Sequence, residues 1–330
     1  MRTTLILTQR DVQRLVDMRV ALRVVAESFK AQARGQTVMP PKLYLPLPHQ
    51  SDFRAMPAYL AHPPACGIKW VNVHPRNRVK GLPTVMATIV LNDPATGYPL
   101  AIMDGLAITG LRTGAAAGVA TQVLARPDAT IVGLVGCGAQ ALYQLQALQA
   151  VRRLAQVRVW GYRRGESQRF CARAQRWITA RLMPARTIEA CVRGARIVTT
   201  ITTSRQPLVM RAWVAPGAHL NAVGADAAGK QELDPKILRD ARVIVDDREQ
   251  ALHGGELNVP IAKGLISPRI IRGTVGDVLL GRVKGRVSPS ELTVFDSTGL
   301  AIHDIALAHT AYRLARRLHL GRSLNLFSHV

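Results

Sequence analysis

The hydrophobic and polar positions of the first third predict mixed structure. In residues 11–34 apolar side chains recur at roughly helical spacing and Gly35 follows, which predicts one helix that ends there. Residues 68–73 and 84–91 alternate, and a turn at 92–94 follows the second run, so we expect antiparallel strands. Residues 114–124 are rich in Ala and Gly at helical spacing and predict another helix.

The pattern changes near residue 130, where apolar runs begin to alternate with helical stretches. An apolar run at 130–135 is followed by a glycine turn at 136–141, a helical stretch at 142–151 and a second apolar run at 157–160. More apolar runs continue the alternation at residues 197–201, 219–223 and 243–245. Strands that alternate with helices predict a parallel sheet.

The last part of the chain returns to the pattern of the first third. A short apolar run at 292–295 precedes an Ala-rich helical pattern at 302–318. The pattern therefore changes near residues 130 and 292, and the length of the chain allows one or two domains.

Composition and charge exclude several classes of protein. Of 330 residues, 48% are apolar and 20% charged, which excludes disordered and collagen-like chains. Basic residues outnumber acidic ones by 44 to 21, and the excess attracts polyanions without specificity. Because no zinc-finger spacing, basic heptad region or aromatic RNA-binding strand is present, we expect no specific nucleic-acid partner.

Cellular context and metals are predicted from what the sequence lacks. No stretch has the pattern of a secretory signal or of a membrane span, so we expect a cytoplasmic protein without a membrane partner. The four cysteines are widely spaced and the nine histidines are scattered. We therefore expect neither a disulfide framework nor a bound metal.

The glycine turn carries the chief chemical signal. Gly136-x-Gly138-x-x-Ala141 fits the dinucleotide fingerprint, in which the first glycine makes a tight turn and the second lets the backbone approach a pyrophosphate. The following helix directs its positive end at the phosphates. A purely structural turn stays open as an alternative, since Gly and Ala abound here. The position between two apolar strands favours NAD(P)(H).

The end of the second strand bears on the choice of cofactor. NAD-binding proteins tend to carry an acid there, whereas a 2′-phosphate favours Arg. The strand at 157–160 runs into Gly161, Tyr162, Arg163 and Arg164, with no acid among them. NADP(H) is therefore slightly favoured over NAD(H), although both arginines are also compatible with a plain basic surface.

Seven separated motifs carry a family resemblance. They are RAMPAY (54–59), GIKWVN (67–72), GLPT (81–84), MDG (103–105), LRTGAA (111–116), NAVGAD (221–226) and VFDSTG (294–299). Across nearly its whole length the chain resembles the ornithine cyclodeaminase/mu-crystallin family. The resemblance implies an α/β fold: a Rossmann-type doubly wound parallel sheet in an NAD(P)-binding domain (116–299), plus a mostly antiparallel α+β substrate-binding and dimerisation domain (1–115 with 300–330). It also implies a homodimer.

Within that family the chain is most similar to the archaeal-type alanine dehydrogenases. Ornithine cyclodeaminases carry a Glu two residues before Met-Pro, where this chain has Arg54. A cation there repels a second ammonium and suits a carboxylate. The resemblance thus implies an NAD(P)-dependent oxidoreductase of a small L-amino acid, most closely an L-alanine dehydrogenase. The alternatives are a ketimine or cyclic imine reductase, an ornithine cyclodeaminase, and a non-catalytic NADPH-binding protein similar to mu-crystallin.

The resemblance also assigns candidate site residues. Lys69 is the expected acid/base, and Asp226 is expected to accept a hydrogen bond from the substrate ammonium. A surface lysine on a strand and a capping aspartate are the alternatives. The expected substrate-binding residues are Lys42, Arg54 and Arg112. The expected cofactor-binding residues are Arg112, Thr113, Gly136, Gly138, Ala139, Gln140, Gly161, Tyr162, Arg163, Arg164, Val223, Gly224, Ala225, Lys230 and Ser297.

Overall fold

The computed structural model describes residues 3–327, and of Arg78 the backbone alone. Its strands are β1 (Thr4–Leu7), β2 (Thr37–Val38), β3 (Leu43–Leu47), β4 (Ser51–Ala61), β5 (Pro64–Val73), β6 (Val85–Asn92), β7 (Pro99–Asp104), β8 (Ile131–Val135), β9 (Gln156–Trp160), β10 (Arg181–Pro184), β11 (Ile197–Thr200), β12 (Arg205–Val209), β13 (His219–Ala222), β14 (Gln231–Leu233), β15 (Ala241–Val245), β16 (Ile271–Thr274), β17 (Leu292–Asp296) and β18 (Arg322–Leu324). Its helices are α1 (Gln9–Leu15), α2 (Met18–Ala33), α3 (Leu106–Leu124), α4 (Ala141–Val151), α5 (Glu166–Ala174), α6 (Ile188–Val192), α7 (Pro235–Asp240), α8 (Arg248–Gly254), α9 (Asn258–Ala262), α10 (Val275–Leu279) and α11 (Ala301–Leu318).

The chain divides into two compact units. The first contains the residues up to Arg112 and those from Leu300 onward, and the second is Thr113–Gly299. The first boundary falls within α3, three residues before the expected one at 115. Residues 1–2 and 328–330, which the expected first domain includes, lie outside the described residues.

The first unit is built on a mostly antiparallel sheet in the order β18-β1-β7-β6-β5-β4-β2, with β3 also paired to β4. Only the β1–β7 pair is parallel among its described pairs. Helix α11 packs on β4, β5 and β6 and against α2, so one face of the sheet is buried. Side chains alternate between faces along a strand, and the other face presents exposed apolar residues such as Leu43 and Trp70.

The single helix expected over residues 11–34 is wrong. The structure has α1 and α2 in its place, broken at Val16, which is extended. The side chain of Asp17 accepts a hydrogen bond from the Val20 amide at 2.8 Å and so caps the second helix. The apolar spacing continues across the break because both helices bury the same side, and this continuity conceals the cap.

The second unit contains a parallel sheet of order β10-β9-β8-β11-β13-β17-β15-β16. Each described pair in it is parallel. Two apolar cores lie against it: one gathers Leu145 and Phe170 from α4 and α5, the other Val192 and Leu238 from α6 and α7. Helices on both faces make the sheet doubly wound, which confirms the expected Rossmann-type α/β class.

No helix among residues 3–327 is long and apolar enough to cross a membrane.

Candidate active site

Lys69 lies at the centre of the first unit's sheet. On β5 it faces Met56 of β4 and Ile89 of β6, both of which are buried. The cross-strand register places all three side chains on the face that the helices cover. Lys69 is 1% exposed, so the alternative of a surface lysine is wrong.

Three elements bring charged groups together around this lysine. Asp304 of α11 receives the Lys69 ammonium on Oδ2 at 2.7 Å and the Nε of Arg112, from α3, on Oδ1 at 3.1 Å. Asp304 is fully buried and Arg112 nearly so. The result is a buried group of two cations and one anion.

Burial and charge set the protonation of this group. Burial, reinforced by the Arg112 charge, lowers the pKa of Lys69 from 10.5 to about 7, although Asp304 acts in the opposite direction. Burial opposes ionisation of Asp304 as well, yet Arg112 and Lys69 hold the pKa of that carboxyl below its ordinary value. Lys69 can therefore both give and take a proton near neutral pH.

Sequence reasoning missed Asp304. A usable signal was present, because Asp304 falls within the buried apolar stripe of α11, beside Ala301, Ile305 and Ala308. A charged residue at such a position needs a buried partner.

The other two expected substrate-binding residues also lie in the first unit. Arg54 is on β4, where Asp52 holds its guanidinium through two hydrogen bonds of 2.8 and 3.1 Å. Lys42 is half-buried, and its charge contributes to the low pKa of Lys69. Lys69, Arg112 and Lys42 therefore form a cationic environment.

The glycine turn of the second unit follows β8. Gly136 has φ 107°, and a Cβ there would stand 2.6 Å from the Ile201 carbonyl oxygen, so only glycine fits. A Cβ at Gly138 would meet no heavy atom within 4 Å. The α4 helix begins after Gln140, which makes no side-chain cap. An open backbone before an uncapped helix N-terminus fits a pyrophosphate.

The strand β9 ends at this turn. Gly161 follows it, and a Cβ at Gly161 would stand 2.5 Å from Cys137 Sγ of the turn. Tyr162 is 86% exposed, and Arg163 and Arg164 are exposed as well. The two arginines are thus accessible to an anion.

An acid that the sequence analysis missed lies beside them. Glu166 Oε2 would stand 3.1 Å from a Cβ at Gly161 and accepts a hydrogen bond from the Arg163 amide at 3.1 Å. Burial, with the Glu166 charge second, raises the pKa of Cys137 to about 12. The sequence signal was the glycine at position 165, because glycine readily adopts the left-handed conformation that Gly165 has here (φ 75°). This turn directs Glu166, the first residue of α5, toward the end of β9.

Asp226 follows β13 and the Gly224–Ala225 turn. A Cβ at Gly224 would stand 2.3 Å from the Thr202 carbonyl oxygen, and Val223 and Ala225 are buried. Asp226 is half-exposed and forms an ion pair with Lys230, four residues later. These two expected site residues therefore meet each other directly.

Ser297 follows β17 and is buried. Its hydroxyl donates to Asp246 Oδ2 at 3.3 Å, and Asp246 also accepts from the Thr298 and Gly299 amides. With its proton committed, the Ser297 oxygen can still accept a hydrogen bond, such as one from a carboxamide N–H.

Thr113 corrects one step of the sequence analysis. The helix expected to begin at Gly114 begins at Leu106, so Thr113 lies inside α3. Among residues 3–327, no three His, Cys, Asp or Glu side chains lie together so that they could hold a metal ion.

Comparisons with known proteins agree over nearly the whole chain. The sequence model of the ornithine cyclodeaminase/mu-crystallin family matches residues 2–317. Alanine dehydrogenase of Archaeoglobus fulgidus is 46% identical, and the match covers 98% of this chain and 99% of the relative.

Two solved structures have a fold similar to that of this chain. An archaeal alanine dehydrogenase dimer with bound NAD has a TM-score of 0.92 at 46% identity, over 98% of this chain and 100% of the other. The Δ1-pyrroline-2-carboxylate reductase of Thermococcus litoralis, in complex with NADH and L-proline, has a TM-score of 0.94 at 33% identity, over 97% and 100%.

Proposed function

The chain belongs to the ornithine cyclodeaminase/mu-crystallin family, and on that premise we propose that it is an NAD(P)-dependent oxidoreductase of a small L-amino acid, namely an L-alanine dehydrogenase. It interconverts alanine with pyruvate and ammonia. The observation that carries the proposal is Lys69, a buried lysine whose pKa is about 7, beside the nearly buried Arg112.

Proton transfer is the part of the reaction that this chain's residues perform. Bound nicotinamide supplies the acceptor for the α-hydrogen of alanine. Alanine loses its α-hydrogen as hydride and one ammonium proton to solvent, which gives an iminium. Water adds to the iminium carbon, neutral Lys69 takes the proton that this water loses, and the carbon–nitrogen bond then breaks to release ammonia and pyruvate. In the reverse direction the Lys69 ammonium returns that proton. Asp226 accepts a hydrogen bond from the substrate ammonium.

Cations hold the substrate carboxylate. Arg112 uses only Nε for Asp304, and within the described residues its terminal nitrogens have no hydrogen-bond partner. That fork matches a carboxylate in geometry and charge. Lys42 adds positive charge, and Arg54 adds a guanidinium whose charge Asp52 partly balances; the net cationic environment disfavours a substrate with a second ammonium. Arg112 has a phosphate of the cofactor as its alternative partner.

Cofactor preference follows from the end of β9. Arg163 and Arg164 are exposed, and Glu166, the nearby acid, already accepts from the Arg163 amide. A 2′-phosphate gains from two exposed guanidinium groups, so NADP(H) is the slightly preferred form of the NAD(P)(H) cofactor. The glycine turn at Gly136 and Gly138, with Ala139 and Gln140, holds the pyrophosphate. Thr113, Gly161, Tyr162, the 223–225 turn with Lys230, and Ser297 complete the nucleotide contacts.

The functional unit is a homodimer. The exposed apolar side chains on one sheet face of the first unit support this assignment, and the archaeal alanine dehydrogenase of known structure is a dimer. The enzyme acts in the cytoplasm, in keeping with four free cysteines. Cell fractionation with antibody detection checks the compartment.

A second candidate is reduction of a preformed imine. The 33% identical relative from T. litoralis is a pyrroline-2-carboxylate reductase, and an acid/base lysine serves that reaction equally well. In that case the imine nitrogen receives the proton.

One assay separates the candidates. The purified protein is incubated with NADH, NADPH and their oxidised forms, in turn with L-alanine, L-ornithine, pyruvate plus ammonium, and 1-piperideine-2-carboxylate, while the absorbance of reduced nicotinamide is followed. Turnover of alanine and of pyruvate plus ammonium supports the dehydrogenase. Turnover of the cyclic imine alone supports the reductase, and proline formed from ornithine without net reduction of cofactor indicates a cyclodeaminase.

A further inference from the structure

Asp304 occupies a place in the fold between two cations that lie far from it in the sequence. We propose that Asp304 is a positioning residue. Its two carboxylate oxygens hold the Lys69 ammonium and the Arg112 guanidinium at a fixed distance from each other, so that Lys69, which transfers the proton, and Arg112, which binds the carboxylate, contact the same small amino acid. This role deepens the proposed function and rests on it.

The geometry of the contacts supports this role. Oδ2 accepts from Lys69 at 2.7 Å and Oδ1 accepts from Arg112 Nε at 3.1 Å, so each oxygen serves one cation. The three residues come from β5, α3 and α11, and 192 and 235 positions separate the two partners from Asp304. Such a contact fixes side chains that no local structure places together.

Each cation keeps donors for a ligand. Lys69 spends one of its three N–H groups on Asp304, and Arg112 spends only Nε. Within the described part of the chain, no further partner of either group is present. The two terminal nitrogens of Arg112 can then donate one hydrogen bond to each oxygen of a substrate carboxylate. Lys69 can offer an N–H donor or, when neutral, a lone pair to a neighbouring atom of the same substrate.

Stability alone is a poor explanation for this group. Desolvation of three buried charges opposes folding, and apolar side chains of similar volume often give equal or greater stability. The group also has one excess positive charge, which leaves part of the desolvation uncompensated. An additional anion, such as a substrate carboxylate at Arg112, compensates it.

Charges on neighbouring parts of the first unit shift the pKa of Lys69, while its cross-strand neighbours Met56 and Ile89 are apolar. Arg112 and Lys42 lower its pKa, after burial, and Asp304 raises it. His303, next to Asp304, is buried, and burial lowers the pKa of its imidazole to about 3, so it stays neutral near pH 7. Loss of the Asp304 charge therefore leaves Lys69 facing only burial and positive neighbours, and its pKa falls.

Two substitutions separate charge from position. Asp304→Asn keeps the shape and removes the charge, whereas Asp304→Glu keeps the charge and moves it by one methylene. Glu291→Gln is the matched control, since it removes a half-buried carboxylate that pairs with Arg242 at 3.0 Å and lies outside the proposed site.

The first measurement needs no substrate. The full chain is labelled with 13C at lysine Cε, the Lys69 resonance is assigned as the one lost in Lys69→Ala, and it is titrated with pH. We expect the Lys69 midpoint to fall by about 1 to 3 pH units in Asp304→Asn and to stay near 7 in Asp304→Glu and Glu291→Gln. A midpoint that does not move in Asp304→Asn overturns the proposal.

Kinetics supply the second measurement. In Asp304→Glu, kcat falls while the pH limb of kcat stays in place, because the charge remains but the geometry changes. If Asp304→Asn does not fold, this variant alone decides: unaltered kcat and KM overturn the positioning role. If no amino acid or imine is turned over by the wild type, the proposed function fails, while the titration still tests the placement of the lysine by Asp304.

Discussion

At the scale of single residues, burial changes the chemistry of Lys69. The sequence motif predicts that this residue acts as the acid/base, but its pKa depends on groups that meet only in the folded chain. Burial is the larger cause and Arg112 the next. The sequence could name Lys69 and could mark Asp304 as a charge within an apolar stripe, but it could not pair the two, because 235 positions separate them.

Lys69→Ala tests this residue directly. Without a group that exchanges protons near neutral pH, kcat falls by about 10²- to 10⁴-fold. Binding of NADPH, followed by quenching of protein fluorescence, stays unchanged because Lys69 is not among the proposed nucleotide contacts. Persistent turnover contradicts the assignment, and Lys263→Ala, at an exposed lysine, is the control.

The pH profile gives an independent view of the same residue. Lys69 must be neutral to accept a proton, so alanine oxidation rises with pH through about 7. In the reductive direction Lys69 must be protonated, and the rate falls through the same value. Initial rates measured from acidic to alkaline pH check both limbs; a limb near 10.5, the ordinary lysine value, contradicts the proposal.

Substitution of Arg163 and Arg164 tests the predicted preference for NADP(H) over NAD(H). Replacement of both by Ala removes two donors for a 2′-phosphate, so the Kd of NADPH rises about tenfold or more, while that of NADH changes little. Isothermal titration with both nucleotides measures the ratio. Glu166→Gln is measured alongside it. The predicted preference is wrong if Glu166→Gln weakens NADH binding while loss of both arginines leaves NADPH binding unchanged.

At the scale of elements, periodicity predicted six of the eight described strands of the parallel sheet, but only β5 and β6 among the other described strands, and it seldom located element ends. The runs at 130–135 and 157–160 became β8 and β9 almost unchanged, since both are continuous apolar stretches. The break at Asp17 escaped because a cap interrupts the backbone without interrupting the apolar face. The acid on α5 escaped for a related reason: it is brought to the glycine turn by the left-handed Gly165.

Asp296, the last residue of β17, is expected to make the free energy of unfolding depend on pH. Asp296 is fully buried, and burial raises its pKa from 3.8 to about 8, with Asp246 and Glu232 acting in the same direction. The folded state therefore binds this proton more tightly than the unfolded chain does. The stability it contributes is complete below about pH 4, is lost as pH rises through 8, and changes little above that.

Asp296→Asn removes this dependence because an amide does not ionise. Each proton that only the folded state holds contributes about 1.4 kcal/mol per pH unit to the slope, so the variant shows a shallower decline of unfolding free energy between about pH 6 and pH 8. Urea denaturation at several pH values measures it. Glu232 and Glu256, whose pKa values burial also raises, add to the slope in the same direction, and Lys69, whose pKa burial lowers, acts against it above about pH 7. Asp277→Asn, at a helix cap, leaves the slope as in the wild type.

At the scale of the whole molecule, one sheet face of the first unit presents exposed apolar side chains among the described residues. Along β3, Leu43 and Leu45 are 67% and 49% exposed, and the register continues through Phe53 on β4 to Trp70 on β5. Phe53 and Trp70 stack with their ring centroids 5.1 Å apart. A contiguous apolar surface of this kind marks an interface, and a second copy of the chain is the occupant that the proposed homodimer requires.

The double variant Leu43→Glu/Leu45→Glu places two charges on that face. Burying them against a second copy costs more than the apolar contacts return, so we expect a monomer with its fold intact. Sedimentation velocity gives the mass, and circular dichroism confirms folding. Leu265→Glu is the matched control, since Leu265 is 51% exposed but belongs to the second unit, and its variant should remain dimeric. A double variant that stays dimeric at micromolar concentration shows that the chains associate through a different surface, and the exposed apolar face then needs another partner.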